Sequence, residues 1–276
     1  MRRFFRLSGG GNDFLALVGP VAEPSSGEIR ALCHRGLSAG ADGLFILERR
    51  ASTVGMRYFN ADGREAELCL NGTRCAVRLA THLGWGDGQL SMVTGAGTFR
   101  GQIVGASRVT LDLPRPEVPK LRNLTQDGTT YTGWQVLVGV PHFVIHWPES
   151  LALAPVGELG KLLRKHFLWG EQGSNIDFVR FADADRLEIR TFERGVEAET
   201  LACGTGVMAA TAAGLSVQKL QLPVCALTLG GFELTVGPAR SVDDENLWSL
   251  TGDARLIAEG TLHPGALELP PPPAWT

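Results

Sequence analysis

No uninterrupted apolar stretch in this sequence reaches the about 18 residues that a membrane-spanning helix needs. Nor does one sign of charge predominate: the chain has 26 Lys and Arg residues and 29 Asp and Glu residues, for a formal net charge of −3. Neutralising nucleic-acid phosphates takes clustered basic residues, so we expect neither a membrane nor a nucleic acid as a partner. Arg2, Arg3 and Arg6 stand near the N-terminus, but no apolar segment follows them. We therefore expect no signal peptide and a cytoplasmic location.

Cysteine is scarce: the chain has five, an odd number at wide spacing, which excludes a disulfide framework. C-x-x-C pairs are absent, so we expect no structural zinc site and assign no metal ligands. A dinucleotide fingerprint is missing as well, since the glycines at 9–11 lack the G-x-G-x-x-G spacing into a helix. The question that remains is which of the thiols are catalytic.

Glycine, in contrast, is abundant: it makes up 35 of 276 residues and follows no collagen-like period. Such a content predicts many tight turns or many places of close backbone approach. Hydrophobic residues make up 44% and charged residues 20%, which are the proportions of a globular protein. The length suits one large domain or two modest ones, each with its own core.

Short apolar or alternating segments between turn residues predict a chain built mainly of strands. Strands are expected over residues 4–7, 14–18, 44–47, 56–59, 136–138, 143–146, 176–180, 187–191, 226–229, 232–236 and 248–251, with two or three more between 91 and 113. Helices are expected over 28–35, 75–83 and 207–215. Three prolines in 114–119 predict a linker, and the proline-rich stretch 269–273 predicts a loose polyproline end.

A weak internal repeat is the most informative feature of the organisation. Residues 69–80 read CLNGTRCAVRLA, and residues 203–214 read CGTGVMAATAAG. Each segment has a cysteine, a short polar turn with glycine, and then a helix of small residues. Two such halves predict a pseudo-symmetric two-domain protein with a site between the halves. The competing explanation is coincidence between glycine- and alanine-rich stretches.

A cysteine at the front of a helix is suited to acid–base chemistry. The first-turn N–H groups have no partners within the helix and carry the positive end of its dipole, so they favour a thiolate and bind a carboxylate beside it. Two such units would place a thiol on either side of one carbon and move a proton from one face to the other. The competing interpretation is two buried structural cysteines, a role that we expect for Cys33, Cys75 and Cys225.

The two cysteine segments and several others match the motifs of one known family, in the same order along the chain. The matching motifs are G-N-D-F at 11–14, G-A-D-G at 40–43, F-N-A-D-G at 59–63, E-A-E at 65–67, C-x-N-G-x-R-C at 69–75, G-x-P-H at 139–142, N-x-x-F at 175–178, E-R-G at 193–195 and E-T-L-A-C-G-T-G at 199–206. On these residues the chain resembles the diaminopimelate epimerase family, from about residue 7 to about residue 260.

The resemblance implies an α+β fold of two pseudo-symmetric halves, each a curled, mostly antiparallel sheet or barrel around a central helix. The last strand of the chain would return to the first half. The first half would then comprise residues 1–115 with about 253–276 and carry Cys69. The second half would comprise residues 116–252 and carry Cys203, with the substrate in the cleft between the halves.

The resemblance also implies an activity: cofactor-independent transfer of the α-proton, which interconverts LL- and meso-diaminopimelate for lysine biosynthesis. Cys69 and Cys203 would be the two acid–base residues, and His142 and Glu193 would adjust their pKa values. The residues implied to bind substrate are Asn12, Asn60, Leu70, Asn71, Gly72, Asn175, Glu193, Arg194, Gly204 and Thr205. The family further implies a homodimer with a small-molecule amino acid as its substrate.

Three positions depart from the family pattern. Leu70 stands where glycine is usual, and its side chain is expected to crowd the carboxylate site or change the turn. Val140 replaces the asparagine of G-N-P-H, which removes a polar contact worth about 1.5–3 kcal/mol to a charged group; Asp253 replaces a proline. An alternative is therefore a related racemase or epimerase, independent of pyridoxal phosphate, with a different amino acid. Two others are a cysteine hydrolase that uses one thiol with His142 and a non-catalytic amino-acid-binding protein.

Overall fold

The structure, a computed structural model, describes residues 2–239 and 246–270. By its internal contacts the chain divides into two compact units, one formed by Met1–Val109 with Ala254–Thr276 and the other by Thr110–Asp253. Each unit has its own sheet and its own buried helix. Among the helices of the described ranges, none combines the length and the apolar composition of a membrane-spanning segment.

The strands, numbered along the chain, are β1 (Arg2–Gly9), β2 (Asn12–Val18), β3 (Gly43–Arg49), β4 (Val54–Asn60), β5 (Glu65–Ala66), β6 (Gln89–Thr94), β7 (Gly97–Ile103), β8 (Arg108–Pro114), β9 (Lys120–Gln126), β10 (Thr129–Val138), β11 (Val140–His146), β12 (Asn175–Asp183), β13 (Arg186–Glu193), β14 (Ala198–Thr200), β15 (Val224–Thr228), β16 (Glu233–Pro238), β17 (Leu247–Asp253) and β18 (Arg255–Leu262). The α-helices are α1 (Ser26–Cys33), α2 (Leu70–His82), α3 (Val156–Leu163) and α4 (Gly204–Ser216). Short 3₁₀ turns span Leu151–Leu153, Phe167–Trp169 and Pro264–Leu267.

In the first unit the strands pair in the order β18–β1–β2–β3–β4–β6–β7, and β5 pairs with the end of β4. The pairs β2–β3 and β4–β6 are parallel, whereas the others are antiparallel. The register of β1 with β18 runs from Arg2 opposite Leu262 to Ser8 opposite Arg255. Strand β18 therefore belongs to the sheet of the first unit.

In the second unit the strands pair in the order β9–β10–β11–β12–β13–β15–β16–β17, and β14 pairs with β13. The pairs β11–β12 and β13–β15 are parallel, and β8 extends the sheet beside β17. This order repeats that of the first unit, with β10, β11, β12 and β13 in the places of β1, β2, β3 and β4. The repeat in the sequence is thus a repeat of topology, and the predicted fold class is confirmed.

Each sheet encloses one helix. In the first unit, α2 contacts β1, β2, β3, β4, β6, β7 and β18, and in the second α4 contacts β10, β11, β12, β13 and β16. Small residues suit α4 to this position, because most of its side chains from Gly204 to Gly214 are buried. A helix that is apolar around its whole circumference is typical of such an enclosed site.

Every predicted strand and helix overlaps an observed one, but the bounds differ. The central helices begin earlier than the sequence predicted, at Leu70 and Gly204, so that Cys69 and Cys203 are their N-cap residues. The sequence analysis missed α3, which follows Pro155 and contains two glycines among eight residues. It also missed β9, most of whose residues are exposed, and it did not read β18 as a strand from its residues.

The two proline-rich segments have different outcomes. Residues 115–119, within the predicted linker, have no regular structure, whereas Pro114 still belongs to β8. Of the predicted polyproline end, residues 269–270 have no regular structure. Residues 271–273 lie outside the described residues.

Candidate active site

Cys69 is the N-cap residue of α2. Its Sγ accepts a hydrogen bond from the backbone N–H of Gly72 at 3.4 Å. The backbone N–H and the hydroxyl of Thr73 both donate to the carbonyl of Cys69, at 2.8 and 2.9 Å. The sulfur therefore lies at the end of the helix where unpaired N–H groups bind anions.

Asn71 and Asn12, both predicted to bind substrate, are joined to one another. The side-chain amide of Asn71 donates to Oδ1 of Asn12 at 2.8 Å, and Nδ2 of Asn12 donates to Asp42 at 3.1 Å. Oδ1 of Asn71 accepts from Nη2 of Arg74 at 2.6 Å. Arg74 is fully buried and is a residue of the cysteine motif to which the sequence analysis gave no role. The charged hydrogen bond from Arg74 therefore holds the Asn71 side chain in place at the first turn of α2.

The glycine turn at residues 9–11 packs against this pair. Gly10 has a φ of +61°, and a Cβ added to it would lie 2.8 Å from Nδ2 of Asn71. Glycine is required there both for the backbone conformation and for the close approach. The triple glycine, which is not a dinucleotide motif, therefore has a structural role beside the Cys69 helix.

The other predicted residues of this unit are Leu70 and Gly72 in the first turn of α2, and Asn60 at the end of β4. The side chain of Leu70 is only 5% exposed, so it packs inside the unit and leaves the first turn of α2 regular. A Cβ added to Gly72 would lie 3.5 Å from Sγ of Cys69, so glycine keeps the space beside the thiol open. Asn60 ends β4 and accepts from the backbone N–H of Gly63 at 2.9 Å.

Cys203 occupies the corresponding N-cap position of α4, in the second unit. Its Sγ lies 3.4 Å from Oγ1 of Thr205, and the carboxylate of Glu193 is near enough for its charge to act on the thiol. Oε1 of Glu193 also accepts from the hydroxyl of Thr200 at 2.9 Å. Glu193 ends β13, and Thr200 ends β14. The pairing of these strands thus places Glu193 beside the thiol.

The electrostatics of this unit keep the thiol protonated. Burial raises the pKa of Cys203 well above its usual value, and the negative charges of Glu193 and Asp177 raise it further. The Thr205 hydroxyl and the Gly206 N–H oppose this shift but do not reverse it. Burial also raises the pKa of Glu193. The expectation that a helix end lowers a thiol pKa is therefore wrong for Cys203, because desolvation and the two carboxylates outweigh the hydrogen bonds from Thr205 and Gly206.

His142 lies on β11 and is fully buried. Its Nδ1 is 2.7 Å from Oδ2 of Asp177, and its Nε2 is 3.3 Å from Nδ2 of Asn175. Oδ1 of Asn175 accepts from the backbone N–H of Arg194 at 2.7 Å. Sequence reasoning missed Asp177, although an acidic residue in the apolar stretch Ile176–Phe178–Val179 was a signal. The structure therefore brings His142 and Asn175 together through hydrogen bonds.

Glu193 and Arg194, adjacent in the sequence, have different partners. Glu193 accepts a hydrogen bond from Thr200, whereas Nη1 of Arg194 lies 3.5 Å from Oε1 of Gln172. The two side chains thus contact different residues. Gly204, predicted to bind the substrate carboxylate, is the first residue of α4 and is buried.

The remaining cysteines lie apart from these helix ends. Cys33 and Cys75 are buried, and Cys225 is partly buried. Burial raises the pKa of Cys33 to about 12, which makes it unreactive at neutral pH. Within residues 2–239 and 246–270, no group of three His, Cys, Asp or Glu side chains is arranged to hold a metal ion.

Comparison with solved structures defines the class of fold. The chain superposes on a phenazine biosynthesis protein of the PhzF family from Enterococcus faecalis with a TM-score of 0.71 and 18% identity, covering 95% of this chain and 99% of that one. It also superposes on a probable proline racemase from Agrobacterium radiobacter K84 with a TM-score of 0.72 and 15% identity, covering 97% and 96%. The fold is that shared by PhzF-type proteins and proline-racemase-like epimerases.

Sequence comparison defines the family. Residues 4–116 match the family model described as diaminopimelate epimerase. The chain is 34% identical over 280 residues to the diaminopimelate epimerase of Aquifex aeolicus, covering 96% of this chain and 99% of that protein. It is 37% identical over 246 residues to that of Methanothrix thermoacetophila, covering 83% and 86%. The chain belongs to the diaminopimelate epimerase family, and it is an isomerase.

Proposed function

We propose that the protein interconverts LL- and meso-diaminopimelate by moving the α-proton between Cys69 and Cys203 without a cofactor. The observation that carries this proposal is the equivalence of the two thiols. Each is the N-cap residue of the enclosed helix of its unit, and the two units repeat the same strand order. A reaction that inverts one carbon by proton transfer needs a proton acceptor for one face and a proton donor for the other, and the repeat supplies two thiols for these roles.

The helix ends supply the stabilisation that the reaction requires. An α-proton beside a carboxylate is weakly acidic, and its removal leaves negative charge on the carboxylate oxygens. Oriented N–H donors stabilise such charge by about 2.7–4 kcal/mol each, by analogy with oxyanion holes. Asn71 and Gly72 in α2, and Gly204 and Thr205 in α4, present their N–H groups at the first turns. We assign the reacting carboxylate to these donors.

The pKa direction at Cys203 suggests how the two thiols share one proton. The reaction needs one thiol and one thiolate at the start. Because burial and the charges of Glu193 and Asp177 raise the pKa of Cys203, we assign the resting proton to Cys203. Cys69 is then the thiolate that removes the substrate proton first. The roles exchange in the opposite direction, once Cys203 has given its proton to the other face of the carbon.

Glu193 and His142 act on Cys203 by different routes in this proposal. The negative charge of Glu193 raises the pKa of the Cys203 thiol, and His142 lies 2.7 Å from Asp177, whose charge raises the same pKa. The two carboxylates therefore favour the protonated form of Cys203, which is the form that gives its proton to the carbon. His142 therefore influences the thiol through Asp177.

Two asparagines assigned to the substrate are already hydrogen-bonded within their own units. Asn12 bonds Asn71 and Asp42, and Asn175 bonds His142 and the backbone of Arg194. To contact the distal end of the amino acid, they must add to or exchange these bonds. We propose that they primarily orient the thiol helix and the Arg194 backbone.

Incubation of the reduced protein with LL-diaminopimelate in D₂O, followed by NMR, tests the reaction directly. We expect deuterium at the α-carbon and the appearance of the meso product. Cys69→Ala and Cys203→Ala should each abolish turnover without a covalent adduct in the mass spectrum, whereas Cys225→Ala, the matched control, should retain it. Absence of exchange in a reduced, folded sample would reject the proposal.

A related racemase or epimerase with a different amino acid is the second candidate. Val140 favours it, because this position in the hairpin between β10 and β11 lacks the amide of the family motif. A panel of amino acids assayed for racemisation distinguishes the two candidates. Turnover of another amino acid without turnover of diaminopimelate would select the second.

We further propose that the protein is a cytoplasmic homodimer whose only ligand is the amino-acid substrate. Analytical ultracentrifugation tests the oligomeric state.

A further inference from the structure

Asp177 is a buried carboxylate in the middle of an apolar strand. It is fully buried on β12, and both neighbours in the chain, Ile176 and Phe178, belong to the hydrophobic core. Burying a charge is costly unless partners satisfy it. Oδ1 of Asp177 accepts from the hydroxyl of Thr191 at 2.7 Å, and Oδ2 lies 2.7 Å from Nδ1 of His142. Both oxygens therefore have a partner.

We propose that Asp177 is a positioning residue that holds His142 as its Nδ1–H tautomer and thereby orients Asn175 and the backbone of Arg194. An ionised carboxylate only accepts hydrogen bonds, so the proton of the imidazole ring lies on Nδ1. Nε2 is then an acceptor, and it receives the amide N–H of Asn175 at 3.3 Å. This turns Oδ1 of Asn175 to the N–H of Arg194 at 2.7 Å. This inference deepens the proposed function and rests on it for its catalytic meaning.

The same carboxylate also lies against the helix that carries Cys203. A Cβ added to Gly206 would lie 2.5 Å from Oδ1 of Asp177 and 3.2 Å from Oγ1 of Thr191. Glycine at 206 thus lets Asp177 approach the first turn of α4. The negative charge of Asp177 thus lies near the positive end of the α4 helix dipole, which is a favourable arrangement.

Four titratable groups from different elements cluster at the first turn of α4. They are His142 on β11, Asp177 on β12, Glu193 at the end of β13 and Cys203 at the front of α4. The negative charge of Asp177 raises the pKa of both Glu193 and Cys203. Asp177 thus affects Cys203 by its charge and His142 by its hydrogen bond, and these two effects can be measured separately.

The tautomer of His142 in the unaltered protein gives the first test, because it requires no variant of Asp177. In protein labelled with ¹⁵N-histidine, long-range ¹H–¹⁵N correlation spectra distinguish the two tautomers, and a His142→Gln sample identifies the signals among the 6 histidines. We expect one Nδ1–H species at neutral pH. A His142 ring that carries its proton on Nε2 would overturn the proposal.

Asp177→Asn gives the second test, since it keeps the shape and removes the charge. An asparagine amide can donate to Nδ1 of His142, so we expect a mixture of tautomers. We also expect the pH midpoint of Cys203 alkylation, followed by peptide mass spectrometry, to move to lower pH. Thr191→Val, which removes one bond to Asp177 but keeps its charge, should leave that midpoint unchanged. Asp112→Asn, at a buried aspartate of β8, is the matched control and should change neither.

Turnover supplies the catalytic readout. In Asp177→Asn we expect kcat to fall at least tenfold while KM changes less than twofold, with Asp112→Asn unchanged. A folded Asp177→Asn protein with a single Nδ1–H tautomer, an unchanged alkylation midpoint and unchanged kcat would reject the role of Asp177. If the unaltered protein does not turn over diaminopimelate, the proposed function fails, whereas the tautomer and alkylation results still decide the positioning role.

Discussion

Nδ2 of Asn71 donates to Oδ1 of Asn12 at 2.8 Å, and this bond joins the first turn of α2 to the start of β2. The other end of the Asn71 amide accepts from the fully buried Arg74. The side chain of Asn71 is thus held by hydrogen bonds to both Asn12 and Arg74. The N–H groups next to Cys69 are therefore ordered by the fold and do not depend on a bound ligand for their direction.

Asn71→Ala should destabilise the first unit. It removes a hydrogen bond from a buried guanidinium, which is worth about 1.5–3 kcal/mol, together with the bond to Asn12. Urea unfolding followed by circular dichroism measures the loss. Asn12→Ala removes only the partly buried bonds and should cost about 1 kcal/mol. Asn123→Ala, in an exposed position of β9, should cost under about 0.5 kcal/mol. Equal losses for Asn71 and Asn123 would contradict the role given to Arg74.

The residue types and spacing around the two thiols were sufficient to predict a helix after each thiol and the repeated fold, although the helices begin earlier than predicted, at Leu70 and Gly204. Cys69 and Cys203 each precede a turn with glycine and a helix of small residues, and these local features determine where a helix begins. Short-range signals of this kind are present in a single sequence. Hence the two helices that follow Cys69 and Cys203 could be predicted before their units were known.

The partners of the side chains could not be predicted in the same way. Asn12 and Asn71 are 59 residues apart in sequence, and only the pairing order of the strands brings them together. Asp177 and His142 are 35 residues apart and meet because β11 and β12 are parallel neighbours. The raised pKa of Cys203 depends on burial, which a helix-end motif does not report. Contacts between segments that are distant in sequence, and the desolvation of buried groups, could therefore be identified only in the structure.

Gly10→Ala should be more destabilising than an ordinary glycine substitution at positive φ. A left-handed backbone conformation costs about 1–2 kcal/mol for a residue with a Cβ, and at Gly10 that Cβ would also meet the Asn71 amide at 2.8 Å. Gly128→Ala is the matched control, because Gly128 has a φ of +79° and no atom within 4 Å of an added Cβ. Thermal unfolding should show a larger loss for Gly10→Ala. Similar losses of stability in the two variants would mean that close packing of Gly10 against Asn71 does not contribute.

Cys203 should react with iodoacetamide only at alkaline pH when no substrate is bound. Burial and two carboxylates raise its thiol pKa, so the thiolate is scarce in the range around 8.5 where a free cysteine ionises. Peptide mass spectrometry after pulses of reagent at a series of pH values gives the rate for each cysteine. Cys33, with a pKa of about 12, should remain unmodified throughout. Rapid modification of Cys203 at pH 7 would contradict its assignment as the resting acid.

The raised pKa of Cys203 also predicts a pH dependence of stability. The folded protein holds the thiol proton to higher pH than the unfolded chain does, so this contribution is fully present below the unfolded thiol pKa, about 8.5. It is lost as the pH rises toward the folded pKa. Cys203→Ala should therefore show a smaller decrease in the free energy of unfolding above pH 8.5 than the unaltered protein, measured in urea at fixed salt. Parallel pH profiles for the two proteins would contradict the assignment.

Glu193→Gln should stabilise the protein at neutral pH while it impairs turnover. Burial raises the pKa of Glu193, so its stabilising contribution is present below the unfolded carboxyl pKa of about 4.3 and is lost as the pH rises. Glutamine keeps the acceptor for Thr200 and carries no charge to desolvate, so its advantage in urea unfolding should grow from pH 4 to pH 7. Removing this charge should also lower the alkylation midpoint of Cys203. Glu199→Gln is the control of opposite sign, because Glu199 accepts two bonds from Arg190, at 2.6 and 2.8 Å, and its neutralisation should destabilise the fold.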